Sequence, residues 1–247
     1  MGLLDLPSPL YDQLNRLFAF LPSTVQLLVW AVICGVLSMW LYKVMSRQEE
    51  IDQLKQQSIA ARKALSGYEG TEMDEVMPLA MNVLKLSGKH FITVIGPALL
   101  SSLPALTIIV WISNNFAYET PAAGSPVTVS VAPVTELQLE TGANGTYRFD
   151  WPAEGETTDI LDTTGAVIAR VNAALSPVLH KKTNWNLLVA NPGGYLPEDS
   201  KAELVNLGLT PIEYIPAGPA WLREWAALFF AALIAVSIGI KIAFRIH

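Results

Sequence analysis

The side chains that could do chemistry are few, and most favour contact over bond-making. After Met1 the methionines are Met39, Met45, Met73, Met77 and Met81. The last three recur every fourth residue, so a helix carries them on one face. Methionine is flexible and polarizable and suits a surface that accepts varied apolar partners. The same residues would also serve to seal two neighbouring helices together. His90, His180 and His247 are scattered, without the Cys, Asp or Glu spacing of a metal site. No serine sits in a nucleophile elbow. Gly193-Gly194 lacks the Lys-Ser/Thr of a phosphate loop and reads as a turn. Asn144-Gly145-Thr146 fits a glycosylation acceptor and marks an exposed turn. Neither an enzyme, nor a metal, nor a cofactor is expected.

The remaining polar candidates, Thr93, Ser101, Ser102 and Thr107, stand in an apolar run that also holds Pro97 and Pro104. Two prolines free carbonyls that need new partners, so such a helix bends or borders a polar cavity. That run, 91–112, has no charge, and neither does 24–42. Each is long enough to cross a hydrocarbon core of about 30 Å. A third run, 226–240, is shorter, but Trp225 and Phe244 extend it and Lys241 can snorkel. Only 15% of the 247 residues are charged and 51% are hydrophobic, against about 25% charged in soluble proteins. The lipid bilayer is therefore the expected solvent. A net charge of −6 argues against a nucleic-acid binder, which would want a basic stripe. The one cysteine, Cys34, lies in the first run and reads as a packing residue.

Orientation follows from the bases. Residues 43–90 hold Lys43, Arg47, Lys55, Arg62, Lys63, Lys85 and Lys89, whereas the longer stretch 113–220 holds only Arg148, Arg170, Lys181, Lys182 and Lys201. The positive-inside rule puts 43–90 and the tail with Lys241 and Arg245 in the cytoplasm, and the N-terminus outside. The expected layout is an amphipathic N-terminus (1–23), a first span (24–43), a cytoplasmic hairpin (44–90), a second span (91–113), an extracytoplasmic domain (114–220), and a third span with its tail (221–247). Within 9–21, Leu10, Leu14, Leu17, Phe18 and Leu21 have helical spacing. This helix either lies on the outer membrane face or packs on the outer domain. With Asp5 and Asp12 ahead of the first run, the start does not resemble a signal peptide.

Within the hairpin, Ile51, Leu54, Ser58, Ala61 and Leu65 follow the 3-4-3-4 spacing of a narrow helix seam. Gly67-Tyr68-Glu69-Gly70 breaks that helix, Thr71 caps the next, and Pro78 is expected to interrupt it before about residue 86. In the outer domain, 127–134, 146–151 and 166–171 read as strands between turn signals. Farther on, 185–190 reads as a strand, 197–207 as a helix and 210–215 as a strand, giving a small α+β domain. Residues 113–220 carry twelve acids, either a solvated surface or a docking face for a basic partner.

The order of these parts resembles the small three-span branch of the YidC/Oxa insertase superfamily. That branch includes archaeal YidC-like proteins, subunit 3 of the endoplasmic-reticulum membrane complex and the Get insertase subunit. The similarity rests on SRQEEIDQLKQQSIAARKAL, MPLAMNVLKLSGKHFITVIGPALLSSLPALTIIVWI and WAALFFAALIAVSIGIKIAFRIH, about half of the chain. It implies a bacterial inner-membrane insertase or chaperone that takes up hydrophobic client segments. A hairpin bearing Met45, Met73, Met77 and Met81 would receive them, and a groove with Ser101, Ser102 and Thr107, with Lys43 near its mouth, would pass their polar flanks. Two departures stand beside it. Spans one and two carry no internal charge, and the outer insert is larger than compact members need. A non-catalytic subunit of a membrane complex, binding a partner through its extracytoplasmic domain, stays open beside the insertase.

Overall fold

Uninterrupted apolar sequence makes the three longest membrane-type elements helical, because a backbone without water must satisfy its own hydrogen bonds. The computed structural model describes residues 2–70, 72–133, 135–142 and 145–244. Its helices are α1 (Ser8–Arg16), α2 (Ser23–Met45), α3 (Gln48–Ser66), α4 (Met73–Phe116), α5 (Ala220–Arg223) and α6 (Trp225–Ala243). Of these, α2, α4 and α6 are long and apolar enough to cross a membrane. The chain is thus an integral membrane protein. The expected cap Thr71, the acceptor Asn144 and the tail residues Arg245 and His247 lie outside the described residues.

Where two helices had been expected, 72–86 and 91–112, α4 runs unbroken for 44 residues. At 1.5 Å per residue it is about 66 Å long, roughly twice a hydrocarbon core. Pro78, Pro97 and Pro104 all lie inside it. Pro78 falls near the helix start, where the carbonyl it frees sits close to an end. A lone Gly88 costs only about 1 kcal/mol relative to alanine, too little to stop a helix between strong formers. Around the other prolines, the Ser101 and Ser102 hydroxyls donate to the Ala98 and Leu99 carbonyls at 3.0 and 2.7 Å, the back-bonding that accompanies bent helices.

Two compact units partition the chain. The first unit comprises Met1–Leu27 and Thr107–Phe229, the second Leu28–Leu106 and Phe230–His247.

In the first unit, seven strands follow α4. These are β1 (Pro126–Ala132), β2 (Glu140–Thr141), β3 (Tyr147–Asp150), β4 (Thr157–Leu161), β5 (Val167–Asn172), β6 (Val178–His180) and β7 (Leu204–Leu207). Five form an antiparallel sheet in the order β2-β3-β1-β7-β6, and β4 pairs with β5. Alternation drives β1: Val127, Val129 and Val131 are buried, with Thr128 and Ser130 between them less so. They join Phe149, Trp151, Ile160, Ile168, Val205 and Leu207 in one core.

Three expectations fail in the later half. Residues 185–190 are not a strand but follow a 3-10 turn, Asn184–Leu187. The Asn186 carboxamide oxygen accepts from the Thr183 amide and hydroxyl at 2.8 and 3.0 Å, and such local bonds compete with a strand ladder. Residues 197–207 are not a helix but a turn leading into β7, a central strand between β1 and β6. Pairing on both sides outweighs a weak local helix preference. Of 210–215, only Pro211 bridges, to Tyr118, and proline cannot extend a ladder. Between Phe116 and Ala220 the described residues form no α-helix, so the expected α+β domain is an antiparallel sheet region.

Asp162, buried in the β4–β5 turn, ties the two sheets' neighbourhoods together. Its Oδ2 accepts from Lys201 Nζ at 2.8 Å, and its Oδ1 from the Thr164 and Ala166 amides at 2.9 Å. The lysine first, then the Thr164 hydroxyl and the Ala166 amide, hold this carboxyl well below the usual carboxylate range. A folded value below the unfolded one stabilises the protein fully above the unfolded pKa and loses that effect as pH falls through the folded one. Asp162→Asn therefore lowers the thermal midpoint at neutral pH, and the gap from the native protein narrows below about pH 4. Circular dichroism melts across an acid series check this.

In the second unit, Trp30, Ala31 and Cys34 of α2 are buried. A Cβ on Gly35 would meet Val236 Cγ1 at 2.9 Å, so the missing side chain lets α6 approach α2 closely. Ile51, Leu54, Ser58 and Ala61 are the buried residues of α3, the seam expected from spacing. Polar contacts link α3 to α4, among them Lys89 to Glu50 at 3.7 Å and Arg62 to Ser87 at 3.3 Å.

Candidate functional site

A stripe of small and polar residues runs along α4 at intervals of three and four: His90, Val94, Ala98, Ser101, Ser102 and Ala105. That spacing places them on one face. All six line an open cavity of about 590 Å³ in the second unit. Ser38, Met39 and Tyr42 of α2, Ile51 and Lys55 of α3, and Lys241 of α6 complete its wall. The lining is largely apolar, with hydroxyls, one imidazole and two ammonium groups added. Among the described residues no Asp or Glu lines it. Lys55 and Lys241 make no ion pair among the described residues. Such a cavity suits a chain that is mainly apolar and carries a polar or acidic part.

Of the residues expected in a groove, Ser101 and Ser102 line this cavity. Thr107 does not. It belongs to the first unit, where its hydroxyl lies 2.7 Å from that of Tyr11. Lys43 also lies off the cavity wall, its Nζ 5.2 Å from the centre of the Phe244 ring, a cation–π distance. The cations that do reach the cavity are Lys55, which the sequence marks only as one of the bases of 43–90, and Lys241, which it marks as a snorkelling end. Lys55 follows the seam residue Ile51 by one turn, and His90 precedes Val94, Ala98 and Ser102 by whole turns. Those spacings were the available signal. Lys241 gave none, because only the packing of α6 brings it in.

The methionines do not seal helices together. Met73, Met77 and Met81 are 70%, 54% and 57% exposed, and Met45 is 42% exposed. With Leu84 also exposed, the first three turns of α4 present an unpartnered apolar face. A folded protein leaves few such contiguous faces without use.

A second cavity, about 560 Å³, lies in the first unit. Asp5, Ser8, Asp12, Asn114, Asn115, Thr120 and Asn191 give it polar walls without a base. Its acids are already engaged. Asp12 Oδ1 accepts from Trp111 Nε1 at 2.7 Å, and Asp5 Oδ2 from the Ala190 amide at 2.7 Å. Among the described residues no group of three His, Cys, Asp or Glu could hold a metal ion. His180 sits edge-on to Tyr195, with centroids 5.8 Å apart.

No protein family matches the chain, and neither a curated protein nor a solved structure matches it. The class stands on the fold alone: an integral membrane protein with three apolar helices and an antiparallel sheet region between the last two.

Proposed function

We propose that this chain is a YidC-like membrane-protein insertase or chaperone. Hydrophobic client segments land on the exposed Met73, Met77 and Met81 face, and their polar flanks pass through the cavity lined by Ser101, Ser102, Lys55 and Lys241. The open, partly polar cavity among apolar helices is the observation that carries this reading. A charged group at the bilayer centre costs about 2.5–3.5 kcal/mol even on insertion scales. Hydroxyls and ammonium groups along the path replace part of the lost hydration. Seven bases in 43–90 support a cytoplasmic hairpin and C-terminus, with the N-terminus and sheet region outside, in a bacterial inner membrane. A photo-crosslinking residue at Met77 tests capture: ribosome-bound chains displaying an apolar segment should form adducts. Complete absence of adducts at normal expression would contradict the proposal.

The excess of twelve acids over five bases in residues 113–220 favours a second role, in which the sheet region binds a basic partner within a membrane complex. Purification in mild detergent should then retain that partner in stoichiometric amount.

A further inference from the structure

Amphipathic helices of soluble domains bury the apolar side and expose the polar one. The N-terminal segment of the first unit does not bury its apolar side, and no residue of α1 is buried. Its polar groups hold it in place. Asp5 Oδ2 accepts from the Ala190 amide at 2.7 Å, the Leu4 amide donates to the Leu188 carbonyl at 2.9 Å, and Asp12 Oδ1 accepts from Trp111 Nε1. Its apolar side chains face outward: Leu3, Leu6, Leu10, Leu14 and Leu17 are all exposed, and Phe20 is 81% exposed. The Leu4–Leu188 bond joins this segment to the stretch that follows the 3-10 turn Asn184–Leu187. There Trp185 and Leu187 are 68% and 66% exposed.

Undocking does not explain the exposure, since the polar side is anchored at several points. The chain on either side says what covers the apolar one. Phe20 lies three residues before α2 begins, and the exposed Trp221 lies four before α6 begins. Both helices are membrane spans by length and composition. Phe20 and Trp221 are therefore tethered within about one helical turn of the start of a span. Tryptophan and leucine on an otherwise polar support are the composition of an interfacial anchor.

We propose that the 3-10 turn Asn184–Leu187 is a lipid anchor of the sheet region. Trp185 and Leu187 enter the headgroup layer beside the leucines of the N-terminal segment. The occupant is the bilayer surface, because Phe20 and Trp221 adjoin helices that already require lipid and the Leu4–Leu188 bond ties the turn to the same N-terminal segment. A second copy of the chain or a partner protein would leave different signatures.

An environment-sensitive fluorophore tests this in the full chain reconstituted in phosphatidylcholine nanodiscs. It is attached at Leu187→Cys, with Thr164→Cys in the exposed β4–β5 turn as reference, both in a Cys34→Ala background. The proposal expects blue-shifted emission at 187, quenching by headgroup-level nitroxide lipid several-fold stronger than at 164, and weaker quenching by aqueous iodide. Water-like emission and equal iodide quenching at both positions would overturn it. So would shielding from iodide at 187 without lipid quenching, which would show a protein occupant. Because 187 is exposed, the label displaces no core packing, and Trp185→Cys gives an independent second site.

Discussion

Replacing Met73, Met77 and Met81 together by glutamine weakens capture of an apolar segment about a hundredfold. Full burial of a methionine side chain is worth about 1.5–3 kcal/mol. A client lying across an exposed helix face covers each thioether only in part, so about 1 kcal/mol per residue is a fair share. Three such losses sum to about 3 kcal/mol, or roughly two orders of magnitude in the dissociation constant. Glutamine keeps the length and the helix preference of methionine, so α4 remains intact. The leucine triple variant conserves volume and apolarity and should capture clients within a few-fold of the native protein. Quantified crosslinking yield over a series of client concentrations measures both. Equal yields for the glutamine and native proteins would remove the methionine face from the account.

Charge reversal at Lys55 and Lys241 has the second-largest effect. These two ammonium groups reach the wall of the same cavity, which no carboxylate of the described residues lines. At an effective dielectric of 20, a charge about 4 Å away contributes about 4 kcal/mol. Changing Lys55→Glu and Lys241→Glu together therefore turns an attractive path for acidic flanks into a repulsive one. Insertion of a client whose translocated flank bears Asp and Glu should fall by at least about tenfold. A matched client with a Lys flank should gain. Protease protection of the flank in reconstituted vesicles reads both. A uniform loss for both clients would point to damaged folding and not to a charge-selective path.

Much of this architecture was legible because single-residue chemistry fixed it. A run of apolar residues close to the length of a bilayer crossing has few alternatives to a helix, and α2, α4 and α6 fall where those runs stand. The α3 seam was equally readable, since Ile51, Leu54, Ser58 and Ala61 sit at a spacing only a helix aligns. In the sheet region β1 was legible from its alternating valines. What failed was decided at long range in one segment and by a local side-chain bond in another. Residues 204–207 become a central strand because β1 and β6 lie on either side of them, and nothing within the segment says so. Trp185 fits a strand by type, but the Asn186 side chain folds its neighbourhood into a turn. The cavity was half legible. Ser101 and Ser102 stood out as hydroxyls between prolines, whereas Lys55, His90 and Lys241 meet only through the packing of three helices. Thr107, one more hydroxyl on the same helix, is drawn instead to Tyr11.

The central claim is that α3 and the methionine face lie on the side of the membrane where proteins are made. Membrane-impermeant maleimide applied to intact cells tests it directly, with Ala60→Cys on the exposed side of α3 or Thr164→Cys in the sheet region, each in a Cys34→Ala background. Position 164 should label in intact cells, and position 60 only after the membrane is opened. Labelling of position 60 from outside, with position 164 protected, would contradict it.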